Sequence, residues 1–75
     1  MKTTDVKYCF RTAIELGIAG HPLTEMEYFA NLADLKILKN QPITMADCWM
    51  FRLEGELPVT MTAHLIVLPE PYWKD

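Results

Sequence analysis

Apolar residues are so dense in this short chain that the size of the core it can build becomes the main constraint on its fold. Of its 75 residues, 51% are hydrophobic, and they include two tryptophans, three tyrosines, three phenylalanines and five methionines. A domain of this length buries only about 60% of the surface that its unfolded chain exposes. We therefore expect a single small globular domain over residues 1–75, with more apolar surface than its own core can enclose.

The charge of the chain argues against an electrostatic grip on nucleic acid. Seven basic and ten acidic residues give a net charge of -3, and the basic residues are dispersed along the sequence. Phosphate binding normally requires a clustered excess of lysine and arginine. We expect no nucleic-acid partner.

No segment has the composition of a secretory signal or the length of a membrane span. Lys7, Arg11 and Glu15 interrupt residues 1–20 before the apolar run of a signal peptide can form. The longest uncharged apolar-rich stretch, Leu57–Leu68, is shorter than the ~20 residues that cross a bilayer. We expect a soluble, cytoplasmic protein with no membrane partner.

The candidate metal ligands and nucleophiles are isolated from one another in the sequence: Cys9, His21, Cys48 and His64. Structural zinc sites usually present closely spaced ligand pairs, and a catalytic thiol needs a nearby base and an electropositive setting. Both cysteines lie within apolar stretches, so we interpret them as reduced, buried thiols, with a single disulfide between them as the alternative. We expect no metal, no cofactor and no catalytic residue.

Two helices are predicted in the first half of the chain. Asp5–Leu16 carries apolar residues at a spacing of three to four. Glu25–Lys39 begins with a capping box formed by Thr24 and Glu27, and Asn40 is a stop signal at its end. The apolar residues of this second helix cover nearly twice the ~100° stripe of an ordinary surface helix. We therefore expect it to be the central helix or part of an interface.

The second half of the chain predicts a β-hairpin formed by Cys48–Leu53 and Leu57–Leu68. With a three-residue loop at 54–56, one face of the hairpin pairs apolar residues only. Those pairs are Trp49 with Met61, Phe51 with Val59, and Leu53 with Leu57. A weak capping box at Thr44 and Asp47 makes a third helix over Ala46–Glu54 the alternative to the first strand.

The predicted fold class is α+β, with two helices packed on the hairpin in the order ααββ. We expect the helices to cover the face that carries Trp49, Phe51, Leu53, Val59, Met61 and Leu65. Residues Ala63–Leu68 are apolar on both faces apart from His64, and they extend beyond the first strand. We therefore expect a homodimer whose sheet continues across the two-fold axis by pairing of these edges.

The surplus of methionine and aromatic residues points to binding of another protein, because these residue types are enriched at interface cores. The predicted partner-binding residues are Trp73, Tyr72, Trp49, Glu54, Glu56 and Glu70. The aromatic residues would act as anchors, and the glutamates would form an acidic rim that steers the protein toward a basic partner. In the alternative, Tyr72 and Trp73 fold back and cover the protein's own core.

These features favour a small non-catalytic protein-binding module that occupies the surface of a host or cognate protein as an inhibitor, adaptor or assembly factor. In size, acidic charge and lack of motifs the chain resembles the small accessory proteins of phages and mobile elements. Two alternatives remain open. One is a helix-turn-helix or winged-helix transcription regulator that uses the segment from Thr44 and the hairpin. The other is an enzyme that depends on cysteine and histidine.

Overall fold

The computed structural model describes residues 2–16, 20–43 and 48–73, apart from the side chain of Ala13. Its elements are β1, Thr3–Cys9; α1, Phe10–Glu15; α2, Pro22–Leu32; β2, Lys36–Ile43; β3, Cys48–Glu54; α3, Val59–Thr62; and β4, Ile66–Val67. The four strands form one antiparallel sheet in the order β2-β3-β1-β4. The fold class is α+β, as predicted, but the order of elements differs from ααββ.

β1 occupies the first part of the segment predicted as a helix. The helix expected over Asp5–Leu16 is wrong for residues 5–9, and only Phe10–Glu15 is helical. Val6 and Tyr8 alternate with polar neighbours, and both are almost fully buried. A segment this short fits both a strand and a helix pattern. Pairing with β3 along the whole length of β1 decides in favour of the strand.

α2 begins three residues before the predicted start at Glu25. His21 caps the helix, since its Nδ1 accepts a hydrogen bond from the backbone N–H of Leu23 at 3.2 Å. Pro22 occupies the first helical position, where its missing N–H costs nothing. The expected capping box that starts at Thr24 is therefore wrong, because this residue lies inside the first turns of the helix.

α2 ends at Leu32, well before the predicted end at Lys39. Asp34 adopts a left-handed conformation with a φ of 58°. The N–H of Leu35 then donates to the carbonyl of Ala30 at 2.8 Å, and the N–H of Asp34 donates to that of Asn31 at 3.4 Å. This pair of bonds is the Schellman motif, which satisfies the last carbonyls and ends a helix. The chain continues as β2, where the sequence predicted further helix.

β3 lies where the first hairpin strand was predicted. Residues 48–54 are a strand, so the helical alternative over Ala46–Glu54 is wrong for them. Residues 44–47, which include the predicted cap at Thr44 and Asp47, lie outside the described residues. The partners of β3 are β1 and β2, so Leu53 faces Thr4 and Ile37 where Leu57 was expected.

Residues 57–68 do not form the continuous second strand that was predicted. They contain α3 and the two-residue strand β4, which pairs with β1. The backbone N–H of Leu65 donates to the carbonyl of Met61 at 3.1 Å, a helical bond that turns both side chains toward the core. Helical spacing therefore brings Met61 and Leu65, which the hairpin register assigned to one strand face, to the core, but it leaves Val59 outside the core.

The core lies between α2 and one face of the sheet, called the helix side below. Its buried residues are Val6, Tyr8, Met26, Ala30, Leu35, Phe51, Leu53 and Leu65. Phe51 and Leu53 are 0% exposed, in agreement with the expectation that their face is covered, and Trp49 packs against the same cluster. Val59 was expected on that face but is 85% exposed.

A disulfide joins β1 to β3. Cys9 and Cys48 are direct neighbours in the strand register, and their sulfur atoms are bonded. The interpretation as two reduced thiols is wrong, and the alternative of a single disulfide is correct. The disulfide was only the alternative because the two cysteines are 39 positions apart in the sequence and β1 was assigned to a helix.

Across residues 2–16, 20–43 and 48–73, none of the helices has the length and hydrophobicity that crossing a bilayer requires.

Candidate binding surface

The last described residues, 68–73, lie along the face of the sheet that points away from α2. We call residues 68–73 the strap and this face the strap side. The backbone N–H of Leu68 donates to the carbonyl of Asp5 at 2.9 Å, and the N–H of Tyr72 donates to the Asp5 carboxylate at 2.5 Å. Arg52 Nη2 donates to the carbonyl of Trp73 at 2.9 Å. The strap is therefore held by its main chain.

A buried ion pair forms the centre of the strap side. Arg52 Nε and Nη2 donate to the two carboxylate oxygens of Asp5 at 2.8 and 3.1 Å. Both residues are under 9% exposed. The Arg52 side chain lowers the pKa of Asp5 below its usual 3.8, opposed by burial and aided by the N–H of Tyr72. A buried pair is stable only when its remaining donors and acceptors are satisfied, and the strap backbone contributes to that.

The two aromatic side chains of the strap lie against polar residues of β2. Gln41 Nε2 donates to the Tyr72 hydroxyl at 2.7 Å, and Trp73 Nε1 donates to Gln41 Oε1 at 3.4 Å. The Trp73 ring centre lies 6.0 Å from Lys39 Nζ and 5.7 Å from Arg52 Cζ, within the range of cation–π attraction. Tyr72 nevertheless remains 44% exposed.

The structure brings together only some of the predicted partner-binding residues. Tyr72 and Trp73 contact each other edge-to-face with ring centres 5.0 Å apart. Their packing onto the protein's own sheet corresponds to the fold-back alternative. Trp49 lies on the helix side, where its indole is 4.5 Å from the His21 ring and its Nε1 donates to Asn40 at 3.3 Å. Because opposite faces of the sheet carry them, Trp49 and the strap aromatics do not share one flat surface.

The three predicted rim glutamates differ in their surroundings. Glu54 ends β3, is half-buried and faces Thr3 and Lys36 on the neighbouring strands. Glu56 follows β3 and Glu70 lies in the strap, and both are exposed. The carboxylates of Glu56 and Glu70 are therefore accessible to a partner.

Large apolar side chains are also exposed elsewhere on the described part of the chain. They are Ile14, Tyr28, Leu32, Leu38, Val59, Ile66 and Val67. Tyr28 and Leu32 are neighbours on α2, since helical residues four apart lie on one face. Ile66 and Val67 belong to β4, whose only strand partner among the described residues is β1. This exposure fits the expected excess of apolar surface.

A concave surface that the sequence did not predict lies on the helix side. It is a cavity of about 230 Å³ between α2 and α3, and most of its lining is apolar. Among the lining residues are Tyr8, Met26, Phe29, Met61, His64 and Leu65. No sequence signal marked it, because it forms where α3 replaces the expected strand.

In the described ranges, no three histidine, cysteine, aspartate or glutamate side chains are grouped closely enough to hold a metal ion. No family model, curated protein or solved structure matches this chain.

Proposed function

We propose that this protein is a small, non-catalytic protein-binding module that acts by occupying the surface of a partner protein, as an inhibitor, adaptor or assembly factor. The observation that carries the proposal is the Tyr72–Trp73 pair on the strap side. Tyr72 is 44% exposed, while hydrogen bonds to Gln41, Asp5 and Arg52 hold the pair in place. An aromatic anchor that is fixed before binding loses little conformational entropy when a partner arrives.

The partner is a host or cognate protein with a basic surface. Glu56 and Glu70 are exposed, and the chain carries a net charge of -3, which favours encounter with positive charge. Glu54 completes the proposed rim at the end of β3. Trp49, on the helix side of the sheet, is a secondary anchor that would contact the partner through the accessible part of its ring. The same charge balance disfavours nucleic acid as the partner, and we propose no contact with a membrane.

Affinity measurements on anchor variants test this function. Once a partner has been isolated by affinity capture from the native host, Trp73→Ala and Tyr72→Ala should each weaken binding by about 2 kcal/mol, roughly thirtyfold in Kd. Tyr28→Ala is the matched control, because Tyr28 is an exposed aromatic residue on α2, at 58% against 44% for Tyr72. Loss of binding in the control with normal binding by the two strap variants would move the interface to α2.

We also propose that the protein is a homodimer in which β4 of one copy pairs with β4 of the other, so that the sheet continues across the dimer. The outer edge of β4 is unpaired within the described chain, and Ile66 and Val67 are 52% and 44% exposed. Two-fold pairing would cover both edges at once. Sedimentation at micromolar concentration should give twice the 8.7 kDa mass of the chain, and a single species of 8.7 kDa would contradict the dimer.

The proposed location is the cytoplasm, and the disulfide supplies its test. Disulfides are rare in the reducing cytosol and persist in oxidising compartments. The Cys9–Cys48 bond therefore counts against a cytoplasmic location. If alkylation in intact cells nevertheless labels both cysteines, the location is supported and the bond forms only outside the cytoplasm. A fully oxidised Cys9–Cys48 pair in freshly trapped cells would point to an oxidising compartment.

The two alternative functions have less support. A helix-turn-helix or winged-helix regulator would place helix in the chain after Thr44, whereas Cys48–Glu54 is a strand of the sheet. A cysteine–histidine enzyme would need a free thiolate, whereas Cys9 and Cys48 share a disulfide.

A further inference from the structure

The outer edge of β2 is open on the described part of the chain. β2 is eight residues long, and β3 is its only strand partner among the described residues. Most of its side chains are exposed. An edge strand presents a row of unpaired backbone N–H and C=O groups, and an extended chain that adds to the sheet can pair with all of them.

A groove lies between α2 and the first residues of β2. Its volume is about 530 Å³, within the usual range of ligand pockets. Ala30 and Leu35 line it and are 3% and 9% exposed, whereas Tyr28, which also lines it, is 58% exposed. The groove therefore has a buried apolar floor and an accessible aromatic wall.

The groove and the open edge face the same added chain. Ile37 lines the groove and packs against the core on the helix side. Residues directly opposite each other in paired strands share a face of the sheet. The residue of an added strand that lies opposite Ile37 therefore points to the helix side, beside the groove. Lys39 lies 6.0 Å from the Trp73 ring, so a residue opposite Lys39 points to the strap side.

The charges of β2 decide which kind of chain can add to it. β2 carries Lys36 and Lys39 and no acidic residue. Pairing of two copies along β2 would bring the lysines of both copies into one ladder, where like charges are destabilising. Pro42 and the irregular pairing between Ile37 and Lys39 also disfavour contact between identical edges. A negatively charged chain would instead be attracted to the lysines.

We propose that β2 binds an extended, acidic segment of another polypeptide, which adds to the sheet as a further strand and places an apolar side chain in the groove. The backbone of the segment pairs with the open edge, and its carboxylates lie near Lys36 and Lys39. This ligand differs from the basic partner proposed for the strap. The proposed dimer uses β4, at the other end of the sheet, and leaves β2 open.

A blocked peptide, Ac-Glu-Val-Glu-Phe-Thr-Val-Glu-NH2, is the probe. Its second, fourth and sixth side chains are apolar, and in an extended chain they share one face. When the peptide is titrated into the full-length protein, the largest chemical-shift changes should map to Tyr28, Ile37 and Lys39. We expect a Kd below about 1 mM. No binding at millimolar concentration, or changes that map to β4, would overturn the proposal.

Two isomeric peptides test the backbone pairing. One carries N-methyl groups on its third and fifth residues, and the other carries them on its fourth and sixth. In an added strand the amides of alternate residues point toward β2, and the remaining amides point away from it. One isomer should therefore bind about tenfold more weakly than the parent peptide, and the other should stay within about threefold. Equal affinities of the two isomers would exclude strand addition.

Protein variants test the groove and the charge. Lys36→Gln should weaken binding of the peptide about threefold. Arg11→Gln is the matched control, since it removes the same charge from a side chain on α1 that is 92% exposed, and it should leave the affinity unchanged. Equal weakening by the two variants would overturn the choice of an acidic segment.

Tyr28→Ala separates this site from the strap. It should weaken binding of the peptide about fivefold, because it removes the aromatic wall of the groove, while the affinity for the strap partner stays unchanged. Normal peptide binding by Tyr28→Ala would show that the groove is not used. The Tyr72→Ala and Trp73→Ala variants test the strap surface independently of the peptide.

Discussion

Asp5 and Tyr8 lie on strand β1, point to opposite sides of the sheet and are both buried. Among the described residues, only Asp5 has hydrogen-bond partners for its side chain. The carboxylate of Asp5 accepts hydrogen bonds from Arg52 and from the strap, so its charged form is favoured. The hydroxyl of Tyr8 has no partner among the described residues, so burial acts on it unopposed. The surroundings lower the pKa of one acid and raise that of the other.

Tyr8→Phe should stabilise the protein. Removing a buried hydroxyl that has no partner should raise the unfolding free energy by about 1 kcal/mol, which corresponds to roughly 4–8 °C in Tm for a domain of this size. The effect should grow at alkaline pH. In the unfolded chain Tyr8 ionises near 10.0, but in the folded protein only near 12, so the unmodified protein loses stability as the pH rises through this window.

Thermal unfolding of both proteins from pH 7 to pH 11 checks this expectation. The difference in Tm between Tyr8→Phe and the unmodified protein should widen above pH 10. A variant less stable than the unmodified protein at every pH would show that the Tyr8 hydroxyl has a partner after all.

Asp5→Asn should be strongly destabilising, because it leaves the guanidinium of Arg52 buried without its counter-ion. Breaking one partner of a buried ion pair typically costs about 3–5 kcal/mol. Asp5 also contributes stability that is present above pH 3.8 and is lost as the pH falls through its lowered folded pKa. Urea unfolding between pH 2 and pH 7 should therefore show a stability loss below pH 3.8 that Asp5→Asn lacks. Lys7→Gln, on the same strand, is the control and should stay near the unmodified value.

At the scale of elements, the sequence predicted a strand correctly where burial of one face makes apolar residues recur at every second position. The alternation of Trp49, Phe51 and Leu53 predicted β3 with nearly its observed bounds. The end of α2 was missed because Asp34 takes the left-handed conformation that usually requires glycine or asparagine. The cavity could not be predicted, since it depends on how α3 packs against α2.

The pairing of strands that lie far apart in the chain could not be predicted from the sequence, for a different reason. The pattern of β1 fits a helix as well as a strand, and only its partner β3 decides between them. The hairpin register joined β3 to the apolar segment that follows it, whereas β2 and β1 flank it in the sheet. Tyr72 and Trp73 were identified as important, but the ion pair under them was not, because Asp5 and Arg52 lie far apart in the sequence.

Deleting residues 70–75 should lower stability as well as remove the proposed anchor. The deletion takes away the N–H of Tyr72 and the carbonyl of Trp73, which are hydrogen-bond partners of the buried Asp5–Arg52 pair. We expect a loss of about 1–3 kcal/mol and a Tm lower by several degrees. Tyr72→Phe is the matched control, since it removes only the contact with Gln41. An unchanged Tm in the deletion variant would show that the strap does not support the ion pair.

At the scale of the whole molecule, the fold combines one principal core with a cross-link between two central strands. The apolar side chains that remain exposed, such as Leu32 at 68% and Val59 at 85%, contribute little to that core. A domain of this size has a small margin of stability, and natural small domains often supplement it with disulfides. The bond between Cys9 and Cys48 supplies such a supplement.

Reducing the disulfide should destabilise the protein substantially. For a sequence separation of 39 between the cysteines, the loop-entropy relation gives a loss of about 4 kcal/mol. Urea unfolding with and without a dithiol reductant measures it, with thiol titration to verify reduction. The double variant Cys9→Ala/Cys48→Ala should match the reduced protein and should not respond to the reductant. A reduced protein as stable as the oxidised one would mean that the unfolded chain is already constrained.

The position of β1 inside the sheet has a kinetic consequence. Both neighbours of β1, strands β3 and β4, come from later in the chain, so β1 cannot pair until long loops have closed. β2 and β3 are consecutive and can form a hairpin first. Refolding from the reduced, unfolded state should therefore add the amino-terminal strand late. The rate at which the Cys9–Cys48 bond forms would then report the rate at which β1 joins the sheet.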